Sequence, residues 1–141
     1  LPRDLRLGRC YLPREELAAQ GLTPSELLDP RNLPRLRPLL KDLLQVTLAH
    51  YDEGWGYTRA VPRGEWRLRL ACAWPLLIGL RTLALVAQAE NLLDPGALAK
   101  ISRGTVYGVL ARSSARLLLD GALDNYYRAL RSRVRVPAGP A

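Results

Sequence analysis

Residues 64–93 read GEWRLRLACAWPLLIGLRTLALVAQAENLL. No alternation of polar and apolar residues runs through them, and a single helix over this stretch would be about 45 Å long at 1.5 Å per residue. Its middle, residues 70–89, is apolar around most of the helical circumference, the pattern of a buried helix in a bundle rather than of a surface helix. Pro75 lies inside it and predicts a kink. The longest apolar run, residues 70–80, stops at Arg81 and is too short to span a bilayer. The expectation is a soluble, all-α chain.

Punctuation by Pro and Gly divides the rest into helical blocks. Residues 1–8 read as the last turns of a helix stopped by Gly8. Leu12-Pro13 opens a short helix through Gln20, ended by Gly21. Thr23-Pro24-Ser25-Glu26 is a capping-box pattern that predicts another short helix, ended at Asp29-Pro30. With Asn32 as its cap, a long amphipathic helix is expected over residues 34–54, because Leu36, Leu39, Leu40, Leu43, Leu44, Val46, Leu48, Tyr51 and Trp55 largely follow the 3.6-residue period. Residues 59–63 form a linker. Asp94-Pro95 caps a new start, and residues 101–130 read as helical with an interruption at Gly121. Tyr51, Trp55 and Tyr57 are assigned to the core, as are Tyr126 and Tyr127. Asp52 and Glu53 are assigned to a solvated helix end.

Composition agrees. Phe is absent, Leu dominates and β-branched residues are scarce, which favours helices over sheets. The 48% hydrophobic and 24% charged residues are those of a globular chain. Cys10 and Cys72 stand alone without metal or redox spacing, which suits a reducing, cytoplasmic setting. His50 is the single histidine, so neither a histidine-based triad nor a multi-histidine metal site can be built. The net charge of +8 points to an anionic partner. The candidates are a nucleic acid, a membrane surface or a phosphorylated small molecule; typical nucleic-acid motifs are missing, so no nucleic-acid partner is expected, and diphosphate stays open beside a membrane surface. The charge is spread along the chain except in the tail Arg128, Arg131, Arg133, Arg135. There is no Met in the 141 residues, and the chain is expected to be a fragment.

The densest chemical motif is Asp4-Leu5-Arg6-Leu7-Gly8-Arg9-Cys10-Tyr11-Leu12-Pro13. Carboxylates are hard ligands for Mg²⁺, and guanidinium groups recognise diphosphate oxygens by paired donors. Without further context, a helix-end Asp beside arginines is a surface ion pair. Arg3-Asp4 followed by Gly8-Arg9-Cys10-Tyr11-Leu12-Pro13 resembles the second aspartate-rich region of the squalene and phytoene synthase family, in which Asp-x-x-x-Asp precedes Gly-Arg-x-Tyr-Leu-Pro. Downstream, Cys72-Ala73-Trp74-Pro75, Thr82-Leu83-Ala84 and Lys100-Ile101-Ser102-Arg103-Gly104 resemble an ordered series found in the squalene branch.

The resemblance implies an all-α isoprenoid synthase-type bundle, with residues 1–136 forming its C-terminal portion and 137–141 a disordered tail. It implies a prenyltransferase that joins two farnesyl diphosphates head to head through a cyclopropyl intermediate and reduces the product to squalene with NADPH. The alternative is a phytoene or dehydrosqualene synthase, which omits the reduction. It assigns Asp4 to Mg²⁺, Arg9, Lys100 and Arg103 to diphosphate, Tyr11 to the reaction cavity, and Trp74, Leu77 and Ile78 to the wall of a prenyl tunnel. It further implies a missing N-terminal half carrying the other aspartates, and peripheral membrane association for product release. From a different class, the rivals are a basic helical module binding RNA or membrane through the arginines of residues 128–135, and a helical protein-interaction domain. On this reading the isolated 141-residue polypeptide makes no squalene from farnesyl diphosphate. A radiolabelled product assay checks it, and detectable squalene would overturn it.

Overall fold

A computed structural model describes residues 2–94, 100–117, 119 and 121–135. Among these residues there are six α-helices: α1 (Pro2–Arg6), α2 (Arg14–Ala19), α3 (Leu33–Ala60), α4 (Trp66–Gln88), α5 (Arg103–Arg116) and α6 (Ala122–Arg131), with 3₁₀ turns at Glu26–Leu28 and Pro30–Asn32 and no strand. The expected tail 137–141 and the helix start at Pro95 lie outside the described residues.

The longest element, α3, has 28 residues and so runs about 42 Å. It extends past the expected end at Gly54 because a helical glycine costs only about 1 kcal/mol relative to alanine. The helix stops where Val61 precedes Pro62. The proline ring disfavours a helical residue before it, and Val61 is extended (φ −61°, ψ 126°).

Local signals before α3 are used differently from the expectation. Thr23 and Glu26 do form capping-box bonds, with Thr23 N–H and Oγ1 each 2.8 Å from Glu26 Oε2, but the element they start is a 3₁₀ turn and not an α-helix. Those bonds hold the Glu26 carboxyl below the usual carboxylate range. Asn32 does not cap α3. Its Nδ2 instead donates to the Glu26 carbonyl at 2.8 Å. Gly8 and Gly21 both take positive φ (71° and 66°), the left-handed conformation that ends a helix.

Two apolar cores are strung along α3. Its N-terminal part contributes Leu33, Leu36 and Leu39 to one core with Leu5 of α1, Leu17 of α2, Leu22, Leu27 and Leu93. Leu48 and Trp55 belong to the other, with Ala73, Leu77 and Leu80 of α4, Val109 of α5, and Leu123, Tyr127 and Leu130 of α6. Leu93 explains why α4 ends at Gln88 and not near residue 93. Asn91 turns the chain by accepting the Leu93 N–H at 2.9 Å and donating to the Pro30 carbonyl at 3.0 Å, which delivers Leu93 into the first of these cores.

Running unbroken through Pro75, α4 buries Leu70, Ala73, Leu77 and Leu80. These fall at steps of three and four, one stripe along the helix. Each buried Leu contributes about 1.5–3 kcal/mol. The rest of α4 is half-buried or exposed, so the expected all-round burial is confined to this stripe. By length and composition Trp66–Gln88 is long and apolar enough to cross a membrane, a correction to the expectation from residues 70–80, since the helix continues past Arg81. Here it packs on α3, α5 and α6. Gly79 allows that packing, because a Cβ there would come within 2.8 Å of two Tyr51 ring carbons and closer still to the hydroxyl.

A polar lock joins α6 to α3. Trp55 and Tyr127 stack with centroids 4.2 Å apart and planes 5° from parallel. Trp55 Nε1 donates to Asp124 Oδ1 at 2.8 Å, and Tyr127 Oη donates to Asp52 Oδ1 at 2.8 Å. Arg131 Nη2 reaches Asp52 Oδ2 at 3.1 Å, and Arg128 reaches Asp124 Oδ2 at 2.8 Å. Asp52 is exposed, as expected, but it stands within α3 and not at its end, and it anchors α6. Tyr57, expected in the core, is 65% exposed, because its position on α3 faces away from both cores. Burial, followed by the Asp52 carboxylate, pushes the Tyr127 hydroxyl well above its ordinary pKa.

Replacing Asp124 strands a buried indole N–H, which costs about 1–3 kcal/mol. Asp124→Ala should lower the urea midpoint correspondingly, whereas Glu53→Ala, on the exposed side, should leave it within error. Because the folded state holds the Tyr127 proton more tightly than the unfolded chain, stability should fall as pH rises above about 10. Tyr127→Phe should remove that decline in pH-dependent unfolding.

Candidate functional site

Along α4, Arg81, Ala84, Leu85 and Gln88 recur at steps of three and four and so share one helical face. That face forms one wall of a cleft of about 430 Å³. The opposite walls are Lys100, Ile101, Ser102 and Thr105 at the start of α5, and Leu130 and Arg133 at the end of α6. Ser102 caps α5, its Oγ accepting the Thr105 N–H at 3.1 Å. The volume suits a small ligand.

Three cations line this cleft, Arg81, Lys100 and Arg133, and among the described residues no carboxylate does. Leu80, Ala84, Leu85, Ile101 and Leu130 give it an apolar floor. Cations gathered against low-dielectric walls act more strongly on an anion than the same charges in water. Arg81 Nε is buried and has no acceptor among the described residues, so an oxygen brought to this guanidinium would gain a charge-assisted bond. The arrangement fits a phosphorylated group attached to an apolar body.

Of the residues singled out in the sequence, Lys100 lines this cleft. Arg103 is exposed one residue beyond Ser102 and outside the lining. Trp74 faces α5, donating from Nε1 to Ser113 Oγ at 3.1 Å. Leu77 has no exposed surface and packs wholly within the core, and Ile78 packs against that core. Asp4, Arg9 and Tyr11 sit apart, at the end of α1. The Arg9 N–H donates to the Asp4 carbonyl at 2.9 Å, the Arg9 side chain is exposed, and Tyr11 is 74% exposed. Among the described residues no three His, Cys, Asp or Glu side chains gather to hold a metal ion. Mg²⁺ takes six oxygens in near-octahedral array, so the single carboxylate of Asp4 does not make a Mg²⁺ site by itself.

Arg81 was not picked out as a site residue by sequence reasoning, although it is the sole charge in residues 70–89, a signal that could have marked it. Arg133 was singled out only as part of the basic tail, since nothing in its neighbours says where the end of α6 docks. The remaining tail arginines are accounted for in part: Arg128 and Arg131 are held by Asp124 and Asp52. The rival basic module built on these side chains therefore loses two of its four cations to structural pairs.

Comparison with known proteins agrees with the motifs. The family model described as squalene/phytoene synthase matches residues 1–105. A 15-cis-phytoene synthase of Enterobacter agglomerans is 31% identical over 87 residues, covering 61% of this chain and 30% of that protein. Phytoene synthase 2, chloroplastic, of Solanum lycopersicum is 31% identical over 77 residues, 55% of this chain and 23% of its own length. The chain thus spans less than a third of the length of these curated relatives. No solved structure matches.

Arg81→Gln should weaken inorganic pyrophosphate binding about tenfold, as expected for loss of one charge-assisted hydrogen bond. Arg103→Gln, outside the lining, should change it less than threefold. Isothermal titration at fixed ionic strength distinguishes the two, and equal losses would place the anion elsewhere.

Proposed function

The chain belongs to the squalene/phytoene synthase family, and on that premise we propose that it works in the head-to-head condensation of two prenyl diphosphates, with the product of the phytoene-synthase type. The observation that carries the reading is the cleft, with three cations over an apolar floor and no acid among its lining residues. The all-α architecture fits the same family.

In this reaction the first prenyl diphosphate loses its diphosphate, and the allylic cation that remains is attacked by the double bond of the second. One proton leaves and a cyclopropane forms that keeps the second diphosphate. That diphosphate then departs, the carbon skeleton rearranges, and loss of a second proton gives a conjugated polyene. Delivery of a hydride in place of that last proton loss would give the squalene-type product. Each ionisation develops negative charge on a leaving diphosphate, which is where fixed cations lower the barrier.

In this chain Arg81, Lys100 and Arg133 would bind the diphosphate, with Arg103 contributing from the rim. Ala84 and Leu85 would hold the adjoining carbons and keep water from the cation, with Leu80 packed beneath them. Arg9 and Tyr11 belong to the same proposal as contacts from the α1 motif, on the strength of the family resemblance. So does Asp4, which would give one oxygen to Mg²⁺. Bound Mg²⁺ supplies further neutralisation of the diphosphate. Cytoplasmic placement with peripheral attachment to membrane would suit release of an apolar product.

The non-reductive outcome is favoured because the relatives from Enterobacter agglomerans and Solanum lycopersicum are phytoene synthases. NADPH then has no part in the reaction, in contrast to the squalene expectation. The native protein, given farnesyl or geranylgeranyl diphosphate with Mg²⁺, should form its polyene at the same rate with and without NADPH. Product that appears only with NADPH, identified as squalene by mass spectrometry, would restore the reductive reading.

A further inference from the structure

A second cleft, of about 440 Å³, lies at the other end of α4. Its walls are the last turn of α3, the turn 61–63, Arg69 in the first turn of α4, Leu117, Leu119 and Gly121 between α5 and α6, and Leu123 and Asp124 in the first turn of α6. Arg69 and Arg81 are twelve positions apart on one helix, or about 18 Å along its axis, so the two clefts are separate. The chemistry also differs, because here the lining is mainly polar.

Arg59, Arg63 and Arg69 all line this cleft, and among the described residues the acid that lines it is Asp124. That carboxylate already accepts from Trp55 Nε1 and pairs with Arg128, and Arg59 Nε stands at 3.7 Å from it. One anion with three partners cannot also neutralise Arg69. Arg69 Nε is buried with no acceptor among the described residues. Arg59 keeps its terminal nitrogens beyond that loose pair, and its side chain is 58% exposed. Guanidinium groups present several donors each in a planar fork that matches phosphate oxygens.

We propose that this cleft is a second anion site, one that binds a phosphate group through Arg59 and Arg69, apart from the Arg81 cleft. The ligand is a phosphate monoester-like anion, free in solution or presented as a lipid headgroup. It need carry no apolar body, because the cleft has little apolar floor to receive one. The site asks nothing of the condensation reaction and stands if that reading fails.

The test is titration of the 141-residue chain with inorganic phosphate, followed by the indole N–H resonances of Trp55 and Trp66, which flank this end. Expected are saturable shifts that weaken at least tenfold in Arg69→Gln and at least threefold in Arg59→Gln, and that persist in Arg81→Gln. Arg59 is exposed, so its variant keeps the proposal testable should Arg69→Gln fail to fold by circular dichroism. A parallel arm uses vesicles of phosphatidylglycerol or of phosphatidylcholine in flotation. Binding to the anionic vesicles alone, lost in Arg69→Gln or Arg59→Gln, identifies a headgroup as the phosphate source. The proposal is overturned if neither phosphate nor anionic vesicles bind, or if binding is unchanged in folded Arg69→Gln and Arg59→Gln, or if it is lost in Arg81→Gln.

Discussion

Stacking of Trp55 on Tyr127, with Asp124 and Asp52 accepting their polar hydrogens, fixes the shortest of the four bundle helices against the longest. With ten residues, α6 is too short to be stable alone in water. It holds its place because both aromatic rings are buried and both of their donors are paired. Everything that α6 contributes elsewhere depends on this contact. Leu130 and Arg133 reach the cleft beside Arg81 and Lys100, and Asp124 faces the opposite cleft, because the lock sets the rotation and height of α6 along α3.

The same lock sorts the positive charge. A formal +8 spread over the chain says only that an anion is favoured somewhere. With Arg128 and Arg131 engaged by Asp124 and Asp52, the guanidinium nitrogens that stay buried without an acceptor among the described residues are Arg69 Nε and Arg81 Nε. They stand toward the two ends of α4. At one end they sit over an apolar floor and suit an amphiphilic diphosphate. At the other they sit in a polar cleft and suit a phosphate group alone. Helix α4 separates these two chemistries simply by its length.

Much of the architecture was legible because helices are encoded over short distances. The 3.6-residue recurrence of Leu in α3, the Gly8 and Gly21 stops, and the break at Gly121, which takes φ 71°, are all local. Errors arose where a polar side chain had a distant option. Asn32 bonded back to Glu26 instead of capping α3, and Asn91 bonded across to Pro30 and ended α4 early. Tyr57 fits the aromatic cluster by sequence proximity, yet two residues along a helix turn a side chain by about 200°, so it faces out while Trp55 faces in.

By itself the sequence determined an all-α chain, its helical blocks, and two motif regions that resemble one family. Those properties depend on residue types and spacings within a few turns, where steric and capping preferences act directly. Which cations are spent in structure and which face a cleft was decided only by the tertiary fold. Arg128 pairs with Asp124 four residues away on the same helix, but Arg131 pairs with Asp52, 79 positions away, and the Trp55–Asp124 and Tyr127–Asp52 bonds that place both carboxylates span 69 and 75. No local pattern encodes such a pairing, because it exists only after the apolar stripes of α3, α4 and α6 have packed and set the helices in register.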